Sequence, residues 1–203
     1  MNPFAYPDKP HVRRHRPGGY GTYQKYKAWL RDEFHFRCVY CLQRETWARD
    51  GHKIFSVDHV VPQSDPDRGG ALSKEYTNLV LACCLCNTWR GDADAIDPTK
   101  EAMADHLVVT RGGLVEGKTT DGKYLVRLLK LNSPAHVRER LRVLRIRDRH
   151  LAAPQDPGFR TDYLETFGYP EDLPDLRKES GSRESADHCY LARREQGQLQ
   201  QAY

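Results

Sequence analysis

The chain has 203 residues, of which 30% are charged and only 38% hydrophobic, with a mean hydropathy of −0.78 and a formal net charge of +4. That length holds one medium domain or a compact core with extensions, and no apolar run approaches membrane-spanning length, so no membrane partner is expected. Residues 1–8 lack the basic-then-apolar layout of a secretory signal, and the expected location is cytoplasmic, where paired cysteines bind metal more often than each other.

In chain order, residues 1–22 are rich in Pro, Gly and Arg and read as a flexible basic arm. A helix is predicted from Thr22, as its cap, because Tyr23, Tyr26, Trp29, Leu30 and Phe34 recur at three- and four-residue intervals. Aromatics at this spacing indicate core packing rather than base stacking. Short β-rich runs at 54–57 and 78–82 read as strands, the Pro-, Asp- and Gly-containing stretch 62–70 as a long loop, and 87–95 as a helix. Beyond Pro98, runs at 107–110, 114–115 and 124–131 read as strands with turns at 111–113 and 120–123.

Ser133 and Pro134 supply the cap and first residue of a helix running to about Leu151. Its Arg138, Arg142, Arg145 and Arg149 fall on one stripe, beside an apolar stripe of Val137, Leu141 and Leu144 that can dock on the body. Residues 154–203 read as a polar, partly disordered tail. The expected fold class is α+β: a small core over 23–98, with an N-terminal helix, and a β-hairpin and Arg-rich helix extension over 99–153.

Charge is distributed unevenly. Residues 1–50 carry ten Lys or Arg against five acids, a second basic cluster spans 138–149, and acids gather from Glu171 onward. Such segregation fits a polyanion-binding face better than a uniformly solvated surface, although each basic run taken alone is more often a solvated face.

Cys38 and Cys41 form one Cys-x-x-Cys knuckle, and Cys83 and Cys86 a second. Four thiolates from two knuckles give the tetrahedral sulfur environment that zinc prefers. A structural zinc of this kind contributes about 10–16 kcal/mol of apparent binding free energy to a small domain. The alternative is two buried or redox-active pairs. Cys84 competes with Cys83 for ligand duty, but only Cys83 keeps the two-residue spacing to Cys86. Cys84 is expected to pack inward or stay free, and Cys189 to be an unpaired thiol.

Bracketed by the knuckles or directly following them are Asp58-His59 at the end of the first predicted strand, Asn78 at the start of the second, and Asn87 at the head of the predicted helix. Together with both knuckles, these residues resemble the HNH endonuclease family, whose ββα-metal unit is flanked in many members by zinc knuckles. The string Val57-Asp58-His59-Val60-Val61-Pro62-Gln63-Ser64 is similar to the corresponding segment in the HNH domain of RNA-guided DNA nucleases. Segments at 107–110, 117–119, 121–123 and 129–134 resemble, more faintly, the extension of free-standing bacterial HNH proteins.

The resemblance implies a divalent-metal-dependent endonuclease hydrolysing DNA phosphodiester bonds, with His59 as general base. It implies that Asp58 and Asn87 hold one Mg²⁺ or Mn²⁺, which relieves charge on the phosphoryl group and the leaving 3′ oxygen. Asn78 takes the family role of bridging backbone groups across the long loop and orienting the His59 ring. Where the family name has a histidine this chain has Asn87, and an oxygen ligand favours Mg²⁺ or Mn²⁺ over a catalytic zinc. Arg90, one turn past Asn87, is placed either to reach a phosphate or to form a surface salt bridge. Arg138, Arg142, Arg145 and Arg149 are candidates to track a nucleic-acid backbone. His35 and His52 read as structural or surface residues, with His52 a candidate phosphate contact. DNA is the expected partner, with RNA, a homodimer and partner proteins left open. The competing readings are a zinc-stapled nucleic-acid-binding module without catalysis and a nuclease subunit of a defence or toxin assembly.

Overall fold

A computed structural model describes residues 2–179 and 185–203. In order, the chain forms α1 (Lys27–Glu33), β1 (Phe55–His59), α2 (Gly69–Leu72), β2 (Leu79–Cys83), α3 (Cys84–Arg90), α4 (Met103–His106), β3 (Leu107–Val109), β4 (Val115–Gly117), α5 (Thr120–Leu128), α6 (Pro134–Ala152), α7 (Pro157–Phe167) and α8 (Tyr190–Glu195). The class is α+β, with two separate antiparallel pairs, β1 with β2 and β3 with β4. The chain divides into two compact units. A helical unit comprises Met1–His11, Ile96–Tyr169 and Gln201–Tyr203, and a cysteine unit comprises Val12–Ala95 and Pro170–Gln200. Residues 1–22 and residues 154–203 are each divided between the two units.

In the cysteine unit, β1 and β2 pair from Phe55 opposite Cys83 to His59 opposite Leu79. Both strands begin one residue later than predicted, since Gly51–Ile54 and Tyr76–Asn78 are 3₁₀ turns. All five β2 residues are buried, and α1 packs against this strand with Trp29 and Leu30 fully buried. Thr22 makes no side-chain capping bond; a 3₁₀ turn over Tyr23–Tyr26 leads into α1 instead.

The last turn of α1 carries two fully buried acids, Asp32 and Glu33. Glu33 accepts hydrogen bonds from the backbone N–H groups of Arg14 (2.8 Å) and His15 (3.0 Å). Asp32 accepts from His15 Nε2 (2.8 Å), from the Arg14 guanidinium and from the Tyr190 N–H (2.7 Å). Residues 12–20 are thus strapped across α1, which corrects the expectation of a flexible arm. The nearer part of the arm is also held: Phe4 and Tyr6 are buried, and Pro7 accepts a hydrogen bond from the Ala104 N–H at 2.9 Å. Composition signalled disorder, while the groups that order the segment lie on a helix well downstream. Much of the tail also has regular structure. Leu173, Leu176, Ala186, Cys189 and Tyr190 are buried, and α7 and α8 are regular helices. Residues 180–184 of the predicted tail lie outside the described residues.

In the helical unit, the predicted strand over 124–131 is instead occupied by α5. Thr119 Oγ1 accepts from the Gly122 N–H at 3.0 Å and caps the helix, while Leu125 and Leu129, four apart, are buried. The β-rich composition misled; the burial period is helical. The first turn of α5 sits so close to the end of α4 that a Cβ on Gly122 would lie 2.1 Å from the His106 carbonyl oxygen. Helix α6 starts as predicted, with Ser133 as cap and Pro134 in the first turn. Its buried residues are Arg140 and Val143, not the predicted apolar stripe, whose Val137, Leu141 and Leu144 are half-buried. Arg140 donates to the carbonyls of Gly113 (2.8 Å) and Leu131 (2.7 Å), joining the β3–β4 turn to the segment before α6.

Removing Asp32 strands two buried donors, His15 Nε2 and the Tyr190 N–H. Asp32→Ala should therefore lower the unfolding free energy by roughly 3–5 kcal/mol in urea titration. A loss below about 1 kcal/mol would contradict the strap, since that is the range of an exposed ion pair.

Candidate functional site

The four knuckle sulfurs are buried and lie within 4.8 Å of one another. Cys41 Sγ and Cys83 Sγ are 3.8 Å apart, and a tetrahedron with zinc–sulfur bonds of about 2.3 Å has edges of about 3.8 Å. The first knuckle is a tight loop in which Cys38 N–H donates to Gln43 O (2.9 Å) and Leu42 N–H to Cys38 O (3.1 Å). Val39 N–H pins it to β2 through the Leu81 carbonyl at 3.0 Å. In the second knuckle Cys83 ends β2 and caps α3, its Sγ accepting from the Cys86 N–H at 3.4 Å.

Hydrogen bonds from Cys38, Cys41 and Cys86 hold the Cys83 thiol far below its ordinary range. The same contacts, beginning with Cys38, push Cys41 and Cys86 well above theirs. Buried sulfurs this close resist ionising together, and a thiophilic dication bound among them would allow it. The residues fit zinc. Cys84 is exposed, and Cys189 is a buried free thiol that caps α8 by accepting from the Ala192 N–H at 3.5 Å.

Because Cys83 is the cap, α3 begins at Cys84 and Asn87 is its fourth residue rather than its head. The helix stops at Arg90 instead of running to 95, since Gly91 takes a φ of 52°, in the left-handed region that favours glycine. Asn87 and Arg90, three residues apart, share a face turned to β1. Ser56 and Asp58, two apart on β1, share the face that meets them. Asn87 Nδ2 donates to Ser56 Oγ at 3.0 Å. Arg90 donates to Asp58 Oδ1 and to the carbonyls of His59 and Val60, each at 2.6 Å. Tyr40, from the first knuckle, donates to Asp58 Oδ2 at 2.8 Å.

Arg90 is 2% exposed. It is an internal strut, and both expected roles, phosphate contact and surface salt bridge, are corrected. The end of β1 places one carboxylate and two carbonyls where a forked donor satisfies all three. Burial lifts the Asp58 carboxyl above its ordinary range, while the Arg90 charge and the Tyr40 and Arg90 hydrogen bonds pull the other way.

His59 alternates to the opposite side of β1 from Asp58. Its ring meets Tyr23 edge-on at 4.5 Å, and its Nε2 lies 2.9 Å from the Ser73 carbonyl. A carbonyl only accepts, so Nε2 carries the hydrogen and Nδ1 keeps the lone pair. Asn78 Oδ1 accepts from the Val61 N–H (2.8 Å), and its Nδ2 donates to the carbonyls of Val61 (3.1 Å) and Leu72 (3.2 Å). It thereby ties the turn after His59 to the segment that presents Ser73.

Asp58 and Asn87 are oxygen donors on one side of β1, which suits a hard dication in kind. Such an ion would share Asp58 with Arg90 and Tyr40, because both carboxylate oxygens already accept hydrogen bonds. On α6, Arg138, Arg142, Arg145 and Arg149 are all exposed. Arg142 is paired with Glu139 through bonds of 3.0 and 2.7 Å. His52 is tied to Asp172 at 2.7 Å, and Asp172 in turn to Arg31 at 3.0 Å. His35 contacts Tyr190 through its Nδ1.

Sequence reasoning missed Tyr40, Tyr23 and the Ser73 carbonyl. The tyrosine inside a metal knuckle was a usable signal. A main-chain carbonyl has no side-chain signature, and Tyr23 looked like any aromatic of the core stripe.

Residues 38–93 match the family model described as HNH endonuclease, a span holding both knuckles together with Asp58, His59, Asn78 and Asn87. No curated protein and no solved structure matches the chain.

Purified protein should contain about one zinc per chain by elemental analysis, with Cys38→Ser or Cys86→Ser losing the metal and the cooperative melting transition. A metal-free protein that melts like the zinc-loaded one would contradict the staple.

Proposed function

We propose, from the premise that residues 38–93 form an HNH endonuclease domain, that this chain hydrolyses phosphodiester bonds of DNA with His59 as general base. The observation that carries the reading is the 2.9 Å contact of His59 Nε2 with the Ser73 carbonyl. It fixes the tautomer, so Nδ1 is the nitrogen left to take a proton from water. The oxygen of that water attacks phosphorus, and the bond from phosphorus to the leaving 3′ oxygen breaks. Tyr23 restrains the ring from the side, and Asn78 holds the Ser73 segment in place.

Asp58 and Asn87 would hold a Mg²⁺ or Mn²⁺ ion, whose charge relieves the phosphoryl group and leaving oxygen when it is bound. Arg90 shapes the end of β1 by gripping the carbonyls of His59 and Val60, so Asp58 and His59 keep their relative placement. Arg138, Arg145 and Arg149 would meet backbone phosphates, giving affinity that falls with salt and carries little sequence information. One such site cuts one strand.

A second reading, a nucleic-acid-binding module without catalysis, draws support from Asp58, whose two oxygens are already engaged by Arg90 and Tyr40.

Incubation of supercoiled plasmid with Mg²⁺ or Mn²⁺ separates the two. The wild type should produce nicked circles, EDTA should stop the reaction, and His59→Ala should slow it by about 10²-fold or more without changing the melting temperature. Equal nicking by a pure, folded His59→Ala protein would sink the assignment. A mobility shift without any nicking would favour the binding module.

A further inference from the structure

Beside the loop that presents Ser73 lies a cavity of about 450 Å³, built within the cysteine unit from the arm and from residues 74–77. Its walls include Arg13, His15, Arg16, Lys74, Glu75 and Tyr76. Arg13 is the joint between the two walls. Its Nη2 donates to the carbonyls of Thr77 (3.2 Å) and Leu79 (2.6 Å), and its guanidinium carbon lies 5.0 Å from the ring centroids of both Phe34 and Tyr76. Its Nη1 and Nε are buried and have no hydrogen-bond partner.

His15 is 1% exposed, its Nε2 is committed to Asp32, and its Nδ1 also lacks a partner. Arg16 and Lys74 are exposed, and among the described residues neither makes an ion pair or hydrogen bond. Three permanent cations thus face one carboxylate, Glu75. Two exposed cations without partners, beside buried polar atoms that also lack them, suit an anion, and the positive charges of the lining outnumber the opposing Glu75 carboxylate.

Lys74 directly follows Ser73, whose carbonyl holds His59. An anion gripped by Lys74 and Arg16 would therefore sit one residue along the chain from the carbonyl that holds the base.

We propose that this cavity is a subsite for a backbone phosphate of the substrate strand next to the one hydrolysed, with Arg16 and Lys74 as its contacts and Arg13 as the residue that fixes its walls. This rests on the nuclease reading for its substrate; of its contacts, Arg13 and Arg16 lie outside the segment that matches the HNH family and Lys74 lies within it.

The test uses the full-length, zinc-loaded His59→Ala protein, so that the substrate stays intact, and a short fluorescein-labelled DNA duplex read by anisotropy over a range of salt. Adding Arg16→Ala and Lys74→Ala should weaken binding about tenfold at low salt and reduce the slope of log K against log salt by about 1 to 2, as expected for losing up to two phosphate contacts. The charge-preserving exchange Arg16→Lys with Lys74→Arg should restore most of the affinity. Unchanged affinity and slope in the double alanine protein, with an unchanged melting temperature, would overturn the subsite whatever the plasmid assay gives. A loss of binding and slope in a chain that nicks no DNA would support the subsite and count against the nuclease reading alone.

Discussion

Four buried sulfurs tie the loop carrying Cys38 and Cys41 to the junction of β2 and α3, and the geometry of the site depends on that tie. A two-stranded hairpin is marginal by itself, and a seven-residue helix has no independent stability in water. The cluster supplies what both lack. It anchors the first knuckle to β2, and its Cys83 is also the cap that begins α3. Fixing the first residue of a helix fixes the direction of every later side chain. Asn87 and Arg90 therefore face Ser56 and Asp58.

At the end of β1 the chain uses both faces of one strand for different purposes. On the α3 side, Asp58 sits in a buried network with Arg90 and Tyr40. Such a pair is costly to desolvate and costly to break, so it specifies position more than it adds stability. On the other side, His59 is held by a main-chain carbonyl at Nε2 and by an aromatic edge. The carboxylate and the imidazole are adjacent in sequence yet supported by separate parts of the fold: the first cysteine knuckle and α3 for one, and the arm-proximal Tyr23 and the loop before β2 for the other.

The hairpin, the knuckles and the place of Asp58 and His59 at the end of β1 were legible because each has a local signature: β-rich runs, Cys-x-x-Cys spacing, a dipeptide at a strand end. Asn78 lies in the turn before β2 and Asn87 one turn into α3, not at the element starts where the runs placed them, because the ends of short elements have no residue-type signal. Helix α6 was legible through Ser133 and Pro134. What sequence did not reveal depends on partners far away in the chain. The arm looked disordered because its order comes from Asp32 and Glu33. Arg90 looked like a phosphate ligand or a surface ion pair because the carbonyls of His59 and Val60, which it satisfies, have no residue-type signal. Helix α5 was hidden by Tyr, Val and Leu residues whose composition suggests strand, although Leu125 and Leu129 bury with helical spacing.

Hydrogen exchange measured residue by residue on the zinc-loaded and zinc-stripped protein tests most directly whether the sulfur cluster holds the site. Stripping the metal should remove protection from the amides of β1, β2 and α3 while those of α6, in the other unit, stay protected. Protection of β1, β2 and α3 that survives metal removal would contradict the account, because the site would then be organised without the staple.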